Sequence, residues 1–302
     1  MRILVTGASG QVGVALAARL APAHEAIAPT RAGFDLAEPE RLAERLDALR
    51  PDMIVNCAAY TAVDRAENER DLAFAVNAEA PAAMARWARA QGVPLIQLST
   101  DYVFDGSEDR PWREDDRPAP LSGYGASKLA GEDAVRAAAG AHLIVRTSWV
   151  YAAEGRNFLR TVARLSGERE ELRIVDDQTG APTPAALVAQ GLAAIVDTSA
   201  PDFSGAFARA ENVVHLCASG ETTWFGFASA IVDGLRARGV ALAVKRIVPI
   251  ASDDHPAKAR RPKNSRLSLE RLRRVFGIEP PRWDEMLPAE LERVAHLDSP
   301  SS

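Results

Sequence analysis

The sequence predicts an α/β protein with a Rossmann-type, doubly wound parallel sheet and a smaller C-terminal substrate-binding domain. Short apolar runs alternate with helical patterns five times before residue 150, as is typical of parallel βαβ units. A glycine-rich turn follows the first apolar run, where a dinucleotide-binding fold has one. We expect residues 1–150 to form the nucleotide-binding domain. Residues 151–302 should mainly bind substrate, with segments that return to the first domain.

Composition narrows the possible functions. The 302 residues are 47% hydrophobic and 25% charged, which indicates a globular protein. A net charge of -5 argues against binding to nucleic acid or to a membrane surface. Cys57 and Cys217 lack the spacing of a metal or redox site, so we interpret both as bystanders in a reducing compartment. The first strand follows Met1 almost directly, so we expect no signal peptide and a cytoplasmic location.

The first predicted strand, residues 3–5, leads into the glycine turn and then a helix over 14–20. Glycines three residues apart allow a tight turn, let the backbone approach a pyrophosphate, and bring the helix close to the strand. The alternative is a purely structural glycine turn. The predicted cofactor contacts of this turn are Gly7, Gly10, Gln11, Val12 and Gly13.

The second predicted strand, residues 26–28, lacks the acidic residue that usually follows it and binds the cofactor's ribose. Thr30 and Arg31 stand there instead. With no carboxylate to repel a 2′-phosphate and an arginine available, we expect NADPH to be accepted, with NADH possible. Arg31 could also be merely an exposed side chain.

The remaining elements follow from hydrophobic periodicity. We predict a helix over 39–49, a third strand over 53–55 and a helical stretch over 69–91 that is interrupted at Pro81. A fourth strand over 93–98 is followed by a charged, proline-containing loop over 105–122, which we interpret as a solvated lid. The later predicted helices are 124–138, 158–165, 184–196, 223–238, 267–275 and 285–294, the later strands are 142–145, 172–175, 213–216 and 243–248, and the tail 299–302 is expected to be disordered.

The chemistry is predicted to lie between residues 99 and 128. Polar residues that directly follow a parallel strand face the ligand crevice, and Thr100 and Asp101 follow the fourth one. Tyr124 and Lys128 are four residues apart and therefore share a helix face. A phenol beside an ammonium should release its proton more readily than free tyrosine, so Tyr124 is a candidate proton donor and acceptor. The alternative is a solvated helix pair.

Together with the glycine turn, several motifs resemble the dTDP-4-dehydrorhamnose reductases, which are extended short-chain dehydrogenases/reductases. The motifs occupy residues 56–64, 99–105, 124–132, 146–151, 176–183 and 261–267, and the likeness runs nearly end to end. Membership implies that NADPH reduces the C4 ketone of dTDP-4-dehydro-L-rhamnose to dTDP-L-rhamnose, for a cell-surface sugar.

The resemblance also implies roles for individual residues. Tyr124 would protonate the C4 oxygen, Lys128 would bind the nicotinamide ribose and lower the tyrosine pKa, and Thr100 would hydrogen-bond the reacting oxygen. The implied substrate contacts are Thr100, Asp101, Trp149, Asn157, Arg261 and Asn264. Trp149 would offer an apolar face to the deoxysugar, and the alternative for this residue is a core aromatic. The implied cofactor contacts beyond the glycine turn are Thr30, Arg31, Asp35, Leu36, Ala58, Ala59, Tyr60, Thr61, Leu98, Tyr124 and Lys128.

The chain also departs from some relatives, which are dimers that carry magnesium on two glutamates. The matching positions are Ala15 and Ala186, and alanine cannot bind a hard cation. We therefore expect no metal site and a monomer or a metal-independent homodimer. Two alternatives stay open: a non-catalytic nucleotide-binding regulatory subunit, and a reductase or epimerase of another nucleotide sugar.

Overall fold

The computed structural model of the chain describes residues 1–254 and 257–297. The strands are β1 (Arg2–Thr6), β2 (Glu25–Ile27), β3 (Met53–Asn56), β4 (Leu95–Thr100), β5 (His142–Thr147), β6 (Val150–Tyr151), β7 (Glu171–Val175), β8 (Thr179–Gly180), β9 (Thr183–Pro184), β10 (Val213–His215), β11 (Thr222–Thr223) and β12 (Arg246–Ile250). The helices are α1 (Gln11–Leu20), α2 (Leu42–Leu49), α3 (Arg70–Phe74), α4 (Ala80–Gln91), α5 (Gly123–Ala137), α6 (Phe158–Glu168), α7 (Ala185–Ser199), α8 (Phe203–Arg209), α9 (Trp224–Ala237), α10 (Glu270–Phe276) and α11 (Trp283–Leu297). The tail 299–302 lies outside the described residues.

The main sheet confirms the predicted fold class. Within the described residues it has six strands in the order β10-β5-β4-β3-β1-β2, and every neighbouring pair is parallel. The chain runs outward from β1 to β2 and then returns to β3 on the other side of β1. In a doubly wound sheet the crevice beyond the carboxyl ends of the strands, at this reversal, is where ligands bind.

Both faces of the sheet are covered, as its apolar strands require. Ile3 and Val5 pack on one face with α1 and α7, whereas Leu4 packs on the other face with α2 and α4. A separate core joins α6, α9 and α11 with β7. The chain from β10 onward also returns to the first face, where Leu267 and Leu272 join its core. A domain boundary near residue 150 stays a prediction.

Two local predictions are wrong. The stretch over 69–91 is not interrupted at Pro81, because this residue lies in the first turn of α4, where proline needs no hydrogen-bonded N–H. The irregularity is a π-helical turn just before it, Ala75–Glu79. The loop over 105–122 is not a solvated lid either. Its Trp112 is buried, stacks on Phe104 with ring centroids 4.5 Å apart, and donates to the Asn264 carbonyl at 3.0 Å.

Candidate active site

The glycine turn lies at the reversal between β1 and β3. Gly7 has φ +67°, and a Cβ atom there would come within 2.8 Å of the Ala58 backbone. A Cβ atom at Gly13 would come within 2.1 Å of the Gly7 carbonyl oxygen, so only glycine lets α1 begin so close to the turn. The result is a cradle of bare backbone at the N-terminus of α1. Such a cradle fits a pyrophosphate, because the amides and the helix dipole favour an anion.

The residues predicted to bind the ribose of the cofactor follow β2. Arg31 is 73% exposed in its side chain, and its Nε lies 3.4 Å from Asp35 Oδ2. Asp35 in turn accepts a hydrogen bond from the Ala37 amide at 3.0 Å. Leu36 is buried, whereas Thr30 is exposed. Arg31 therefore lies beyond the end of β2 with its guanidinium accessible, as a phosphate contact requires.

The segment after β3 is held by a residue that sequence reasoning missed. The Asn77 side chain accepts from the Tyr60 amide at 2.8 Å and donates to the Tyr60 carbonyl at 3.0 Å. It also donates to Ser127 Oγ on α5 at 2.9 Å. Asn77 is buried in the π-helical turn, and it thereby fixes the predicted cofactor segment Ala58, Ala59, Tyr60 and Thr61 relative to α5.

Helix α5 brings Tyr124 and Lys128 into the interior. The Ser122 side chain caps the helix by accepting from the Gly125 amide at 3.2 Å. A Cβ atom at Gly125 would come within 2.2 Å of the Tyr102 carbonyl oxygen, so glycine allows the helix to approach the end of β4. Tyr124 and Lys128 are 9% and 4% exposed. The alternative of a solvated helix pair is thus wrong, because both side chains are buried.

A hydrogen-bonded chain across the sheet leads to Lys128. Thr6 on β1 donates to Asn56 on β3, which donates to Gln97 on β4 at 2.7 Å. Gln97 donates to the Leu98 carbonyl at 2.9 Å, and Lys128 Nζ donates to the same carbonyl at 2.7 Å. This chain of hydrogen bonds fixes the ammonium beside the carboxyl ends of the central strands.

The electrostatics of Tyr124 correct one expectation. Burial raises the pKa of Tyr124 to about 12, a hydrogen bond with Thr100 lowers it, and the nearby charge of Asp101 raises it further. The pKa is therefore raised, not lowered by Lys128 as the sequence suggested, because the ammonium is directed at the Leu98 carbonyl. Burial also lowers the pKa of Lys128 to about 8, although the charge of Glu132 opposes this shift. At neutral pH Tyr124 is protonated and Lys128 is charged.

Thr100 and Asp101 stand at the end of β4 beside this pair. The Thr100 hydroxyl donates to Asp101 Oδ1 at 3.0 Å, and both residues are buried. Burial raises the pKa of Asp101 to about 6, while hydrogen bonds with Ser265 and Thr100 oppose the rise. The structure thus brings together a phenol, a hydroxyl and a carboxylate, while the Lys128 ammonium binds the Leu98 carbonyl on the same strand. A carbonyl oxygen placed here would meet the Tyr124 hydroxyl group, and also that of Thr100 once its proton turns from Asp101 to the new oxygen.

The basic segment near residue 261 packs across this site. Arg261 donates to Asp64 Oδ2 at 2.8 Å and hydrogen-bonds Tyr102, whose ring lies edge-on to that of Tyr124 at 5.5 Å. Asn264 is different, because its side-chain amide donates to the carbonyls of Glu108 and Arg110 at 2.8 and 2.7 Å and so supports the loop. Contact of either residue with a substrate stays a prediction.

The two remaining predicted substrate residues lie at different edges of the crevice. Trp149 is half-buried and stacks on Trp224, a residue that sequence reasoning missed. Asn157 caps α6 by accepting from the Arg160 amide at 3.0 Å, and it donates to Gln11 of the glycine turn at 2.9 Å. The structure therefore places Asn157 against the predicted cofactor contacts rather than beside Thr100.

A buried ion pair lies behind Lys128. Glu132 and Arg146 are 0% and 1% exposed, and two hydrogen bonds join them at 2.9 and 2.7 Å. Ser99, next to Thr100, donates to Glu132 at 2.6 Å. Burial is the largest influence and raises the pKa of Glu132, but the charge and hydrogen bonds of Arg146, the hydrogen bond of Ser99 and the charge of Arg136 together outweigh it. The pKa therefore lies below its ordinary value. The pairing was not predicted, since nothing in residue spacing indicates it.

Comparison with known proteins agrees with this geometry. Residues 1–296 match the family described as RmlD substrate binding domain. A dTDP-4-dehydrorhamnose reductase from Burkholderia thailandensis is 49% identical over 286 residues, which cover 94% of this chain and 95% of that protein. The enzyme of the same name from Escherichia coli K12 is 44% identical over 94% of each chain. This chain belongs to the dTDP-4-dehydrorhamnose reductase family.

A solved structure of a family member extends the likeness to three dimensions. The dTDP-4-dehydrorhamnose reductase from Bacillus anthracis, in complex with NADP, is 34% identical and has a TM-score of 0.85 over 99% of each chain. The family assignment made from the motifs is thereby confirmed, and this chain is an NAD(P)H-dependent oxidoreductase by family. The roles of individual residues stay predictions. None of the described helices combines the length and apolar character that crossing a membrane requires.

Proposed function

We propose that this chain reduces the C4 ketone of dTDP-4-dehydro-L-rhamnose to dTDP-L-rhamnose with NADPH as the hydride donor, NADH also being possible. The observation that carries the proposal is the buried constellation of Tyr124, Thr100 and Lys128 beside the Gly7 turn. The similarity to reductases that bear this substrate's name supports the choice of sugar. We further propose a cytoplasmic location, where NADPH and nucleotide sugars are available.

The glycine turn supports binding of the cofactor. At Gly7 and Gly13 there is no room for a Cβ atom next to the backbone, so the turn presents bare backbone at the N-terminus of α1. Gly7, Gly10 and Gln11 would hold its pyrophosphate, and Arg31 its 2′-phosphate. When bound, NADPH supplies the hydride for C4. Lys128 would orient the nicotinamide ribose, since its ammonium has three donors and uses one on the Leu98 carbonyl.

The protein supplies the proton. Tyr124, with a pKa of about 12, is fully protonated at pH 7 and donates its hydroxyl proton to the C4 oxygen as charge develops there. Thr100 would donate a hydrogen bond to the same oxygen, in the manner of an oxyanion hole. The resulting phenolate takes its proton back from solvent, a return that its raised pKa favours.

The test is a panel of 4-keto nucleotide sugars, with NADPH oxidation followed by absorbance. We expect dTDP-4-dehydro-L-rhamnose to be reduced with the highest kcat/KM. The control is the Tyr124→Phe variant, which should bind NADPH but turn over slowly. Faster reduction of a UDP- or GDP-linked sugar would contradict the proposed substrate, and NADPH binding without oxidation of any panel member would contradict the proposed reaction.

A further inference from the structure

One segment of irregular backbone lies between β12 and α10. Residues 258–265, which we call the crossing segment, contain no helix, and their isolated β-bridge joins Asn264 to Thr179. A stretch with so few regular backbone hydrogen bonds is ordered only if other parts of the chain hold it in place. The contacts of the crossing segment therefore decide where it lies.

The crossing segment supports the residues that follow β4. Ser265, which is 3% exposed, hydrogen-bonds Asp101. Arg261 hydrogen-bonds Tyr102, the residue after Asp101. The ring of Tyr102 lies edge-on to that of Tyr124. The shape of the crevice beside the candidate proton donor therefore depends on the position of this segment.

The second half of the crossing segment is fixed from two sides. The Thr179 amide donates to the Lys263 carbonyl at 2.8 Å, and the Ser265 amide donates to the Thr179 carbonyl at 2.8 Å. The Asn264 side chain donates to two carbonyls of the loop that follows β4. These bonds leave the first half, residues 258–262, to be held by other contacts.

Asp64, in the stretch after β3, holds the first half. Its Oδ1 accepts from the Ala259 amide at 3.0 Å, and its Oδ2 accepts from Arg261 Nη2 at 2.8 Å. The Lys258 backbone also hydrogen-bonds Asp64. Partial burial raises the pKa of Asp64, but these hydrogen bonds and the charge of Arg261 outweigh it, so the carboxylate is charged at neutral pH. Hydrogen bonds to a charged acceptor are about twice as strong as neutral ones.

We propose that Asp64 is a positioning residue that orders the first half of the crossing segment before the substrate binds. The proposal rests on the proposed function, in which the nucleotide sugar fills the crevice beside Asp101 and Arg261. A segment that is already ordered adds no cost to binding, whereas without Asp64 the substrate must order it at the expense of its own binding energy. Once the substrate is bound the segment is in place in either case. Loss of Asp64 should therefore weaken substrate binding more than it slows turnover.

The test uses the Asp64→Asn, Asp64→Ala and Asp64→Glu variants in three measurements. Reductase kinetics give KM and kcat with dTDP-4-dehydro-L-rhamnose, calorimetry gives the affinity for dTDP-L-rhamnose, and hydrogen–deuterium exchange of peptides that cover residues 258–262 gives their order. Glu221→Gln is the matched control. Glu221 pairs with Arg266, just beyond the crossing segment, at 2.9 Å, and the two acidic side chains are similarly exposed, Glu221 by 56% and Asp64 by 45%. Without Glu221, Arg266 keeps its hydrogen bond to Asn264 at 2.9 Å.

For Asp64→Asn and Asp64→Ala we expect the KM for the nucleotide sugar to rise by about fivefold, the effect of losing one hydrogen bond of ordinary strength. The kcat and the KM for NADPH should stay within about twofold. Residues 258–262 should exchange at least about fivefold faster in the free protein, and bound dTDP-L-rhamnose should reduce this difference. Asp64→Glu, which keeps the charge, should lie between the unmodified protein and Asp64→Ala. Glu221→Gln should match the unmodified protein.

Several outcomes would overturn the inference. Unchanged exchange of residues 258–262 in Asp64→Ala would mean that other contacts order the segment. Faster exchange with an unchanged KM would mean that substrate binding does not depend on this order. Faster exchange throughout the chain, with equal losses of affinity for the nucleotide sugar and NADPH, would mean that Asp64 supports the whole fold instead.

Failure of the proposed function looks different. The unmodified protein would then oxidise no NADPH with dTDP-4-dehydro-L-rhamnose, while exchange of residues 258–262 still depended on Asp64. The calorimetric affinity for dTDP-L-rhamnose, which needs no turnover, would then take the place of KM in deciding whether Asp64 prepares the site.

Discussion

At the scale of single residues, burial decides whether the Tyr124 hydroxyl group carries a proton that it can donate. Tyr124 lies in the interior, and Lys128 bonds to a carbonyl, so no full charge offsets the desolvation of the phenolate. A pKa of about 12 makes the phenol a weaker acid than free tyrosine, but it also keeps the hydroxyl group protonated and able to donate at neutral pH. This property suits reduction, in which the ketone oxygen must receive a proton.

Removing only the hydroxyl group of Tyr124 should therefore abolish the proton transfer and leave the fold intact. For Tyr124→Phe we expect kcat to fall by about 10²-fold or more, since general acid catalysis contributes that much. NADPH affinity, measured by fluorescence titration, should change by less than about twofold. A kcat close to that of the unmodified protein would show that another group donates the proton.

The pH profile of kcat/KM should be bell-shaped. The acid limb should lie near pH 6, where Asp101 gains a proton as the pH falls and loses its ability to accept from a sugar hydroxyl. The basic limb should lie near pH 8, where Lys128 loses its proton as the pH rises. In Asp101→Asn the acid limb should disappear while the basic limb remains. An acid limb that survives this change belongs to another group.

At the scale of elements, helix α5 is joined to β4 and β5 by the Glu132–Arg146 pair. Glu132→Gln should leave the Arg146 charge buried without its partner, and we expect a loss of about 3–5 kcal/mol in the free energy of unfolding. The measurement is urea denaturation. Glu168→Gln is the matched control, because its ion pair with Arg164 is exposed and should contribute only about 0–1 kcal/mol.

Glu132→Gln should also change the pH dependence of activity. The negative charge of Glu132 opposes the lowering of the Lys128 pKa by burial. Its removal should move the basic limb of the pH profile to lower pH. A loss of stability below about 1 kcal/mol together with an unchanged basic limb would contradict the view that this pair supports both the helix and its lysine.

The segment after β2 should set the cofactor preference. We expect NADPH to bind at least as tightly as NADH. Arg31→Ala should reduce the ratio of the NADH to the NADPH dissociation constant by roughly fivefold, because an exposed charge pair contributes about 1 kcal/mol. Arg164→Ala is the control, because Arg164 is also exposed and also pairs with a carboxylate four residues away. Clearly tighter NADH binding by the unmodified protein would contradict the interpretation of Thr30 and Arg31.

At the scale of the whole molecule, the question is whether a metal or a second copy completes the protein. Ala15 lies on α1 and Ala186 on α7, two helices that pack against each other. Neither residue can ligate a cation, and within residues 1–254 and 257–297 no group of three or more His, Cys, Asp or Glu side chains could hold one.

Activity should therefore persist after exhaustive EDTA treatment, as measured by NADPH oxidation. Size-exclusion chromatography should show a monomer, or a dimer whose elution EDTA does not change. Magnesium chloride added back should change the rate by less than about twofold. Inactivation by EDTA that magnesium reverses would show that another part of the chain supplies the missing ligands.

Much of the fold could be predicted because its determinants are local. Apolar runs of strand length, helical periodicity and the Gly7 turn depend on neighbours along the chain, and the parallel order follows from their alternation. The positions of Thr100, Tyr124 and Lys128 follow in the same way, from a strand end and a helix face. The family motifs added the substrate and the cofactor.

Other features depend on residues that are far apart in the sequence. Trp112 packs under the segment at Asn264, β10 joins the main sheet beside β5, and Trp149 meets Trp224. Such contacts leave no periodic signal, since each partner alone has an ordinary local environment. The raised pKa of Tyr124 is of this kind, because the sequence showed the lysine four residues away but not the carbonyl that holds its ammonium. The sequence by itself determined most of the elements, the parallel character of the sheet and the chemical groups of the site. Only the tertiary structure decided the burial of these groups, their partners and hence their charge states, because these depend on what the fold excludes from water.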